Sequence, residues 1–366
     1  MNKRNEGIDL LRCLSMLMVV VLHLFNHGGV NSALTKGSTG YNASYLVYIL
    51  FLCAVNCYAL ISGYVGVTAR HRWRNILSHW LVVVFYAVLL TLVVPLVVPD
   101  VAVRPLIAAC TPVIHRFYWY FTAYFALFFL MPLLNKGVLA MSRSEAKRMV
   151  LSVVAVFSVL ATLPLINLSS SFTVTDVFQL NDGLSVIWLA VMYIVGASIK
   201  VHGFGTDIPS WKLWLGVIVS TLAAWMFKLV VEQDVPLPTR ELLDANALRY
   251  NFSPTMVVSG CCLLLLFSRW RTLPVCAGKA VRWAAPSAFS VYLIHEHSMV
   301  RSGLISGRYA AFAADAPLLL IGKVLGCAVL IYVACTLLDA GRRLLFRLLH
   351  LQQAIDWAAA RVHAAE

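Results

Sequence analysis

Charge is what this sequence has least of. Only 12% of its 366 residues are Asp, Glu, Lys or Arg, about half the share of an ordinary soluble domain. Acidic residues number 16, and no long polar stretch interrupts the chain, so a second, soluble domain has nowhere to sit. The nine cysteines (Cys13, Cys53, Cys57, Cys110, Cys261, Cys262, Cys276, Cys327 and Cys335) form no CxxC pair and no zinc spacing. That excludes a disulfide scaffold and leaves them as small apolar fillers. An internal repeat of the kind that marks inverted-repeat transporters is not visible either.

What is there instead is apolar surface, at 61% of residues and a mean hydropathy of +0.82. A spanning helix takes about 20 mostly apolar residues. Ten stretches qualify: 8–25, 45–66, 76–98, 117–134, 149–166, 184–200, 213–231, 253–268, 283–297 and 317–338. The expected fold is an all-α, polytopic membrane protein of about ten transmembrane helices, a single domain over residues 1–366.

The net charge of +13 would suggest a nucleic-acid partner in a soluble protein. In a membrane protein the excess should gather on one side. With the N-terminus in the cytoplasm, 19 Lys and Arg fall in inside segments and 7 in outside loops, while Arg12, Lys228 and Lys323 lie within spans. Orientation therefore accounts for most of the excess and removes nucleic acid as a partner. Both termini are expected in the cytoplasm, with membrane lipid as the surroundings and a homo-oligomer left open. The first span follows Lys3 and Arg4 but carries Arg12 and no A-x-A-like site, so it reads as a retained helix rather than a signal peptide.

Ionisable groups inside a membrane are costly and mark function by default. The first span holds Asp9, Arg12 and His23, with Asn26 and His27 just beyond. Eleven residues come within about 20° of three full helical turns, so Arg12 and His23 share a face, about 16 Å apart along the axis. Arg12 reads either as a snorkelling anchor paired with Asp9 or as a fixed cation for a ligand. His23 reads either as a neutral hydrogen-bond donor to a neighbouring helix or as a base. His27 completes H-x-x-x-H, but no acidic ligand stands at helical spacing, so no metal is expected.

Three further groups attract attention. Arg70, Arg72 and Arg74 put three guanidinium groups in five residues, a pattern suited to gripping phosphate, although orientation alone also places cations here. Arg116, Tyr118 and Trp119 open the fourth span, where aromatics commonly form an interfacial belt and could equally stack a sugar. Asn56, Asn181, Asp182, Tyr193 and the run Ser290–His297 are polar candidates too. Within that run Glu296 could orient a histidine or be solvated at a helix end.

These residues together resemble the acyltransferase-3 family of integral-membrane O-acyltransferases. Ile8-Asp9-Leu10-Leu11-Arg12 with His23 matches its R-x10-H first helix, and Ala54 through Ser62-Gly63-Tyr64 is similar to its second. Arg70, Arg72 and Arg74 resemble the basic motif that follows, although the R-x-R-x-R spread leaves the one-to-one match open. Trp119-Tyr120 through Met131-Pro132-Leu133-Leu134, Tyr193 to Gly196, and Ser290 to His295 follow in the family's order. The resemblance covers residues 6–340.

The resemblance implies transfer of an acetyl or other short acyl group from acyl-CoA to a hydroxyl of a cell-envelope carbohydrate or lipid-linked sugar, in the bacterial cytoplasmic (inner) membrane. Acetyl-CoA would be a cosubstrate, with no permanently bound cofactor. Capsule, exopolysaccharide, lipopolysaccharide precursor and peptidoglycan are all open as acceptors. His23 and Arg12 carry over as the central residues, with the arginine cluster touching the donor. Glu296 joins them as a catalytic candidate. Arg116, Tyr118, Trp119, Asn56 and Asn181 are the candidate acceptor contacts. The expected mechanism has His23 as general base, an acyl-histidine being the alternative use of the same ring. A transporter or flippase of an anionic or lipid-linked sugar is the competing reading.

Overall fold

A computed structural model describes residues 4–99, 101–102, 105–166, 176–232 and 243–363. The described residues are helical almost throughout and contain no strand. Lys3, Arg104, Arg240 and most of the acidic loop 232–244 lie outside them.

Helix α1 (Glu6–Asn26) starts where the Asn5 side chain accepts from the Gly7 and Ile8 amides, with Glu6 and Asp9 in the positive first turn. Next come α2 (Thr39–Leu52) and α3 (Ala54–Gly66), one apolar rod interrupted at Cys53. Then follow α4 (Trp73–Val97), α5 (Trp119–Ala140) and α6 (Arg143–Val154), the last running on through a π turn towards Ile166. The second half holds α7 (Val186–His202), α8 (Ser210–Glu232), α9 (Pro254–Ser268), α10 (Val275–Ala284), α11 (Ala288–His295), α12 (Pro317–Leu348) and α13 (Leu351–His363).

Among the described residues, seven helical runs are long and apolar enough to cross a membrane. Of the other three expected spans, two coincide with the shorter apolar helices α7 and α9. The stretch 283–297 is no continuous span. A 3-10 turn at Ala285–Ser287, containing Pro286, separates α10 from α11, and α11 stops at His295. Proline at that point removes a backbone donor and breaks the ladder.

Two features fix the frame around α1. Helices α3 and α7 cross at backbone contact. A Cβ on Gly63 would lie 1.9 Å from the Tyr193 carbonyl oxygen, and one on Gly196 2.1 Å from that of Leu60. Only glycine permits this approach. The second is a buried knot on α12, where the fully buried Asp339 accepts from Tyr86 Oη at 2.9 Å, Ser287 Oγ at 2.7 Å and Arg342 Nε at 2.7 Å. It ties α4, the turn before α11 and α12 together, and so holds the base of the short helix that ends in His295 and Glu296. An unpaired buried carboxylate would cost several kcal/mol, roughly, and here three donors satisfy it.

The helix ends nearest Arg12, Arg70, Arg269 and Arg342 lie at one end of the bundle, shown by the Gly7 amide bonding to the Trp270 carbonyl at 2.8 Å and by the Arg74–Asp356 ion pair. This is the basic end. The amphipathic α13 lies against α4 there, with Ile355 buried and Trp357 exposed.

Candidate functional site

Two cavities enter the bundle from opposite ends along the same face of α1. The one at the basic end has a volume of about 420 Å³ and is lined by Arg12, Arg70, His71, His79 and Asn135 among others. The one at the far end has a volume of about 530 Å³ and is lined by His23, Asn26, His27, Trp119, Arg249 and Glu296 among others. Tyr58, Tyr120 and Phe289 line both. They form an aromatic septum, with the Tyr58 and Tyr120 rings edge-on at 6.0 Å between centroids. Tyr58 Oη donates to the Arg12 carbonyl at 2.9 Å, fixing the septum to α1.

At the basic end Arg12 is held by Asp9 (Nη1 to Oδ1, 2.9 Å), and Asp9 is also paired with Arg4. The anchoring pair and the cavity position thus occur together, because Asp9 uses one edge of the guanidinium and leaves the rest towards the cavity. The three arginines of the following loop do not converge. Arg70 lines the cavity, Arg72 is exposed outside its lining, and Arg74 is paired with Asp356 of α13. His71 also lines the cavity, and burial pushes its imidazole below the ordinary range, so at neutral pH it is an uncharged neighbour of Arg70.

At the far end, His23 meets the end of α11. His295 Nδ1 is 2.6 Å from the Val291 carbonyl oxygen, which can only accept, so that nitrogen carries the proton. In the neutral ring His295 Nε2 is then the acceptor, and it lies 2.9 Å from His23 Nδ1. The proton of His23 is thereby placed on Nδ1, and Nε2 is left with the lone pair. Glu296 Oε2 stands 3.0 Å from the same His23 nitrogen, without a hydrogen-bond donor of its own, while its other oxygen is paired with Arg301. Glu296 is only 9% exposed, so it is not a solvated helix-end carboxylate. Its charge is balanced by Arg301, and the two imidazoles can stay neutral without leaving net charge in the cluster.

His23, His295 and Glu296 also place one ligand atom each within 4.8 Å of one another, a carboxylate and two imidazoles that could hold a metal ion. Arg301 already neutralises the carboxylate, so a divalent ion would bring an uncompensated positive charge into a buried site. The donor set fits hydrogen bonding better than it fits a cation.

The remaining expected contacts divide. Trp119 lines the far cavity beside the septum. Tyr118 is buried behind it, its hydroxyl donating to the Leu293 carbonyl at 2.9 Å, so it braces α11 rather than facing a ligand. Asn56 is buried between Asn251 O (2.8 Å) and Trp188 Nε1 (2.8 Å), a helix-to-loop tie. Arg116 and Asn181 are exposed and away from the cavity lining, both with positive φ. The adjacent Asp182 lines the cavity instead, and burial raises its carboxyl pKa. His295 was legible in the sequence only as a member of the run Ser290–His297, and Arg249 and Arg301 had no site role there. Arg249 and Arg301 were available there as two of the few cations on the sparsely charged side.

A family model described as an acyltransferase domain (Acyl_transf_3) matches residues 5–339. The chain belongs to the acyltransferase-3 family. It is a multi-pass membrane acyltransferase. No curated protein and no solved structure matches it. Both cavities and the whole of the His23 cluster fall inside the matched residues.

Proposed function

We propose that this acyltransferase moves an acetyl or other short acyl group from acyl-CoA to a hydroxyl of a cell-envelope carbohydrate, across the bacterial cytoplasmic membrane. The reading rests on one observation. His23, with its Nδ1 proton occupied by His295 beside Glu296, lines the polar cavity at one end, and an aromatic septum separates that cavity from a basic one entering from the other end.

In this reading the basic end faces the cytoplasm, as the charge bias requires. CoA phosphates bind Arg70 and the open edge of Arg12, and the acyl-pantetheine arm runs along α1 past the aromatic septum. The acceptor enters the far cavity among Asn26, His27, Trp119, Asp182 and Arg249. His23 Nε2 removes the hydroxyl proton as the oxygen attacks the thioester carbonyl carbon. The new C–O bond forms, the C–S bond breaks, and the thiolate takes the proton from the imidazolium to leave as CoA. Glu296 stabilises the imidazolium charge while it lasts.

Two cavities facing opposite ends would also suit a flippase for an anionic sugar, but membership of an acyltransferase family favours chemistry, and a flippase has no use for CoA. A positioned base contributes about 10²–10⁴-fold, so His23→Ala should lower CoA release from acetyl-CoA in the presence of envelope glycan by about 10³-fold. Full turnover by well-folded His23→Ala protein in detergent would remove the base from the account.

A further inference from the structure

The far cavity is not uniform along its depth. Its mouth carries Asn26, His27, Asp182 and Arg249, whereas the part next to the septum is walled by Met16, Val19 and Leu22 of α1, Leu52 of α2 and Val55 of α3. Met16 is 4% exposed and Leu22 8%, while Val19, Leu52 and Val55 are half-buried. Arg12, Met16, Val19 and His23 fall within about 60° of one another around α1, so they form one stripe. Met16 and Val19 are the only residues of that stripe between the cation and the imidazole. They stand about 10 and 6 Å below His23 along the axis.

We infer that Met16, Val19, Leu52 and Val55 form the acyl-chain pocket, and that their bulk sets the length of acyl group transferred. The inference rests on the acyl-CoA reading above and names the part of the donor this wall receives. A hydroxyl-rich acceptor does not suit it, because each sugar hydroxyl would lose its water there and find no partner on four hydrocarbon side chains. Neither does the phosphate end of the donor, whose charge matches Arg12 and Arg70 on the other side of the septum. The pantetheine arm carries two amides and a hydroxyl that would likewise find no partner on this wall, whereas the alkyl tail of the thioester is hydrocarbon throughout and must lie within reach of His23 when the carbonyl carbon is attacked. The branch points of Val19 and Val55 close the wall from facing helices and leave room for a short chain.

Binding of CoA, acetyl-CoA, butyryl-CoA and octanoyl-CoA to the full-length protein in detergent tests this, each affinity being expressed relative to CoA for the same variant. One methylene in an apolar pocket changes discrimination by at least about 10-fold. Wild type should bind acetyl-CoA more tightly than butyryl-CoA by at least that factor. Val19→Ala and Met16→Ala should each shift the preference towards butyryl-CoA by about 10-fold, and Val55→Ala repeats the readout from the facing helix should either α1 variant fold poorly. Val19→Phe should bring acetyl-CoA down to the affinity of CoA itself. Leu337→Ala, 57% exposed on α12, should leave the profile unchanged. If CoA binds but the acyl profile is the same in wild type and in all these variants, the acyl group lies elsewhere and the pocket assignment is wrong, while the donor reading stands. If wild type binds neither CoA nor any acyl-CoA, the donor reading fails and the pocket with it.

Discussion

The two cavities differ in how they treat charge. At the basic end the cations are loosely organised: Arg70 is exposed at the rim, Arg72 points elsewhere, and Arg74 is neutralised by Asp356. At the far end His23 Nδ1 lies 2.9 Å from His295 Nε2 and 3.0 Å from Glu296 Oε2, His295 Nδ1 is fixed on the Val291 carbonyl, and the other Glu296 oxygen is paired with Arg301. A rim of exposed guanidinium groups suits capture of a mobile anion and tolerates variation in how it sits. A half-buried imidazole whose tautomer is fixed suits proton transfer, which fails when the geometry shifts. The difference suggests that binding energy is collected at one end and spent at the other, with Tyr58, Tyr120 and Phe289 between.

That contrast can be broken in graded steps, apart from loss of His23 itself. The largest is Glu296→Gln, which removes the charge that stabilises the imidazolium and leaves Arg301 without its partner. It should lower kcat by about 10²-fold, the lower end of what a positioned base supplies, with KM for acyl-CoA little changed. Steady-state CoA release measures it, and an equal rise in KM would show that the far cluster binds donor after all.

His295→Asn comes next, since it removes the imidazole acceptor of His23 Nδ1–H and leaves Glu296 Oε2 at 3.0 Å as the remaining one. A fall of about 10-fold in kcat is expected. At the basic end Arg70→Ala should raise KM about 10-fold with kcat unchanged, as loss of one charge-assisted hydrogen bond at an exposed rim would. Arg72→Ala and Arg74→Ala should have smaller effects, because neither lines the cavity. The smallest step is His71→Ala. Burial keeps that ring neutral at pH 7.5, so its loss should leave the salt dependence of acyl-CoA binding intact, whereas Arg70→Ala should flatten it.

How much of this was legible in the sequence follows from where the partners sit. Arg12 and His23 share one helix, and 3.6-residue periodicity alone puts them on one face. The Tyr193–Gly196 and Ser62–Tyr64 motifs were visible as strings, but that Gly63 meets the Tyr193 carbonyl and Gly196 that of Leu60 at the α3–α7 crossing was not. Nothing local reveals that His23 meets His295, 272 residues away. The end of α11 is equally hidden, because 283–297 reads as an apolar run and only Pro286 hints at the break. Arg70, Arg72 and Arg74 were legible as a dense cluster, yet density carries no direction, and the residue that captures Arg74 lies 282 positions on. Arg116 and Asn181 looked like acceptor contacts by composition and proved to sit on exposed turns. Tyr118 and Asn56 were correctly polar and interior, but their hydrogen bonds go to the protein's own backbone and side chains.

The account stands or falls on donor and acceptor approaching His23 from opposite ends. Reconstitution in sealed vesicles, with protein orientation determined by protease accessibility of the basic end, separates the two. Radiolabelled acetyl-CoA is supplied only on the side of the basic end and acceptor glycan only on the other. The account predicts acetyl ester on the far side and free CoA on the near side, both lost in His23→Ala vesicles. Ester formed only when donor and acceptor share one side would contradict it.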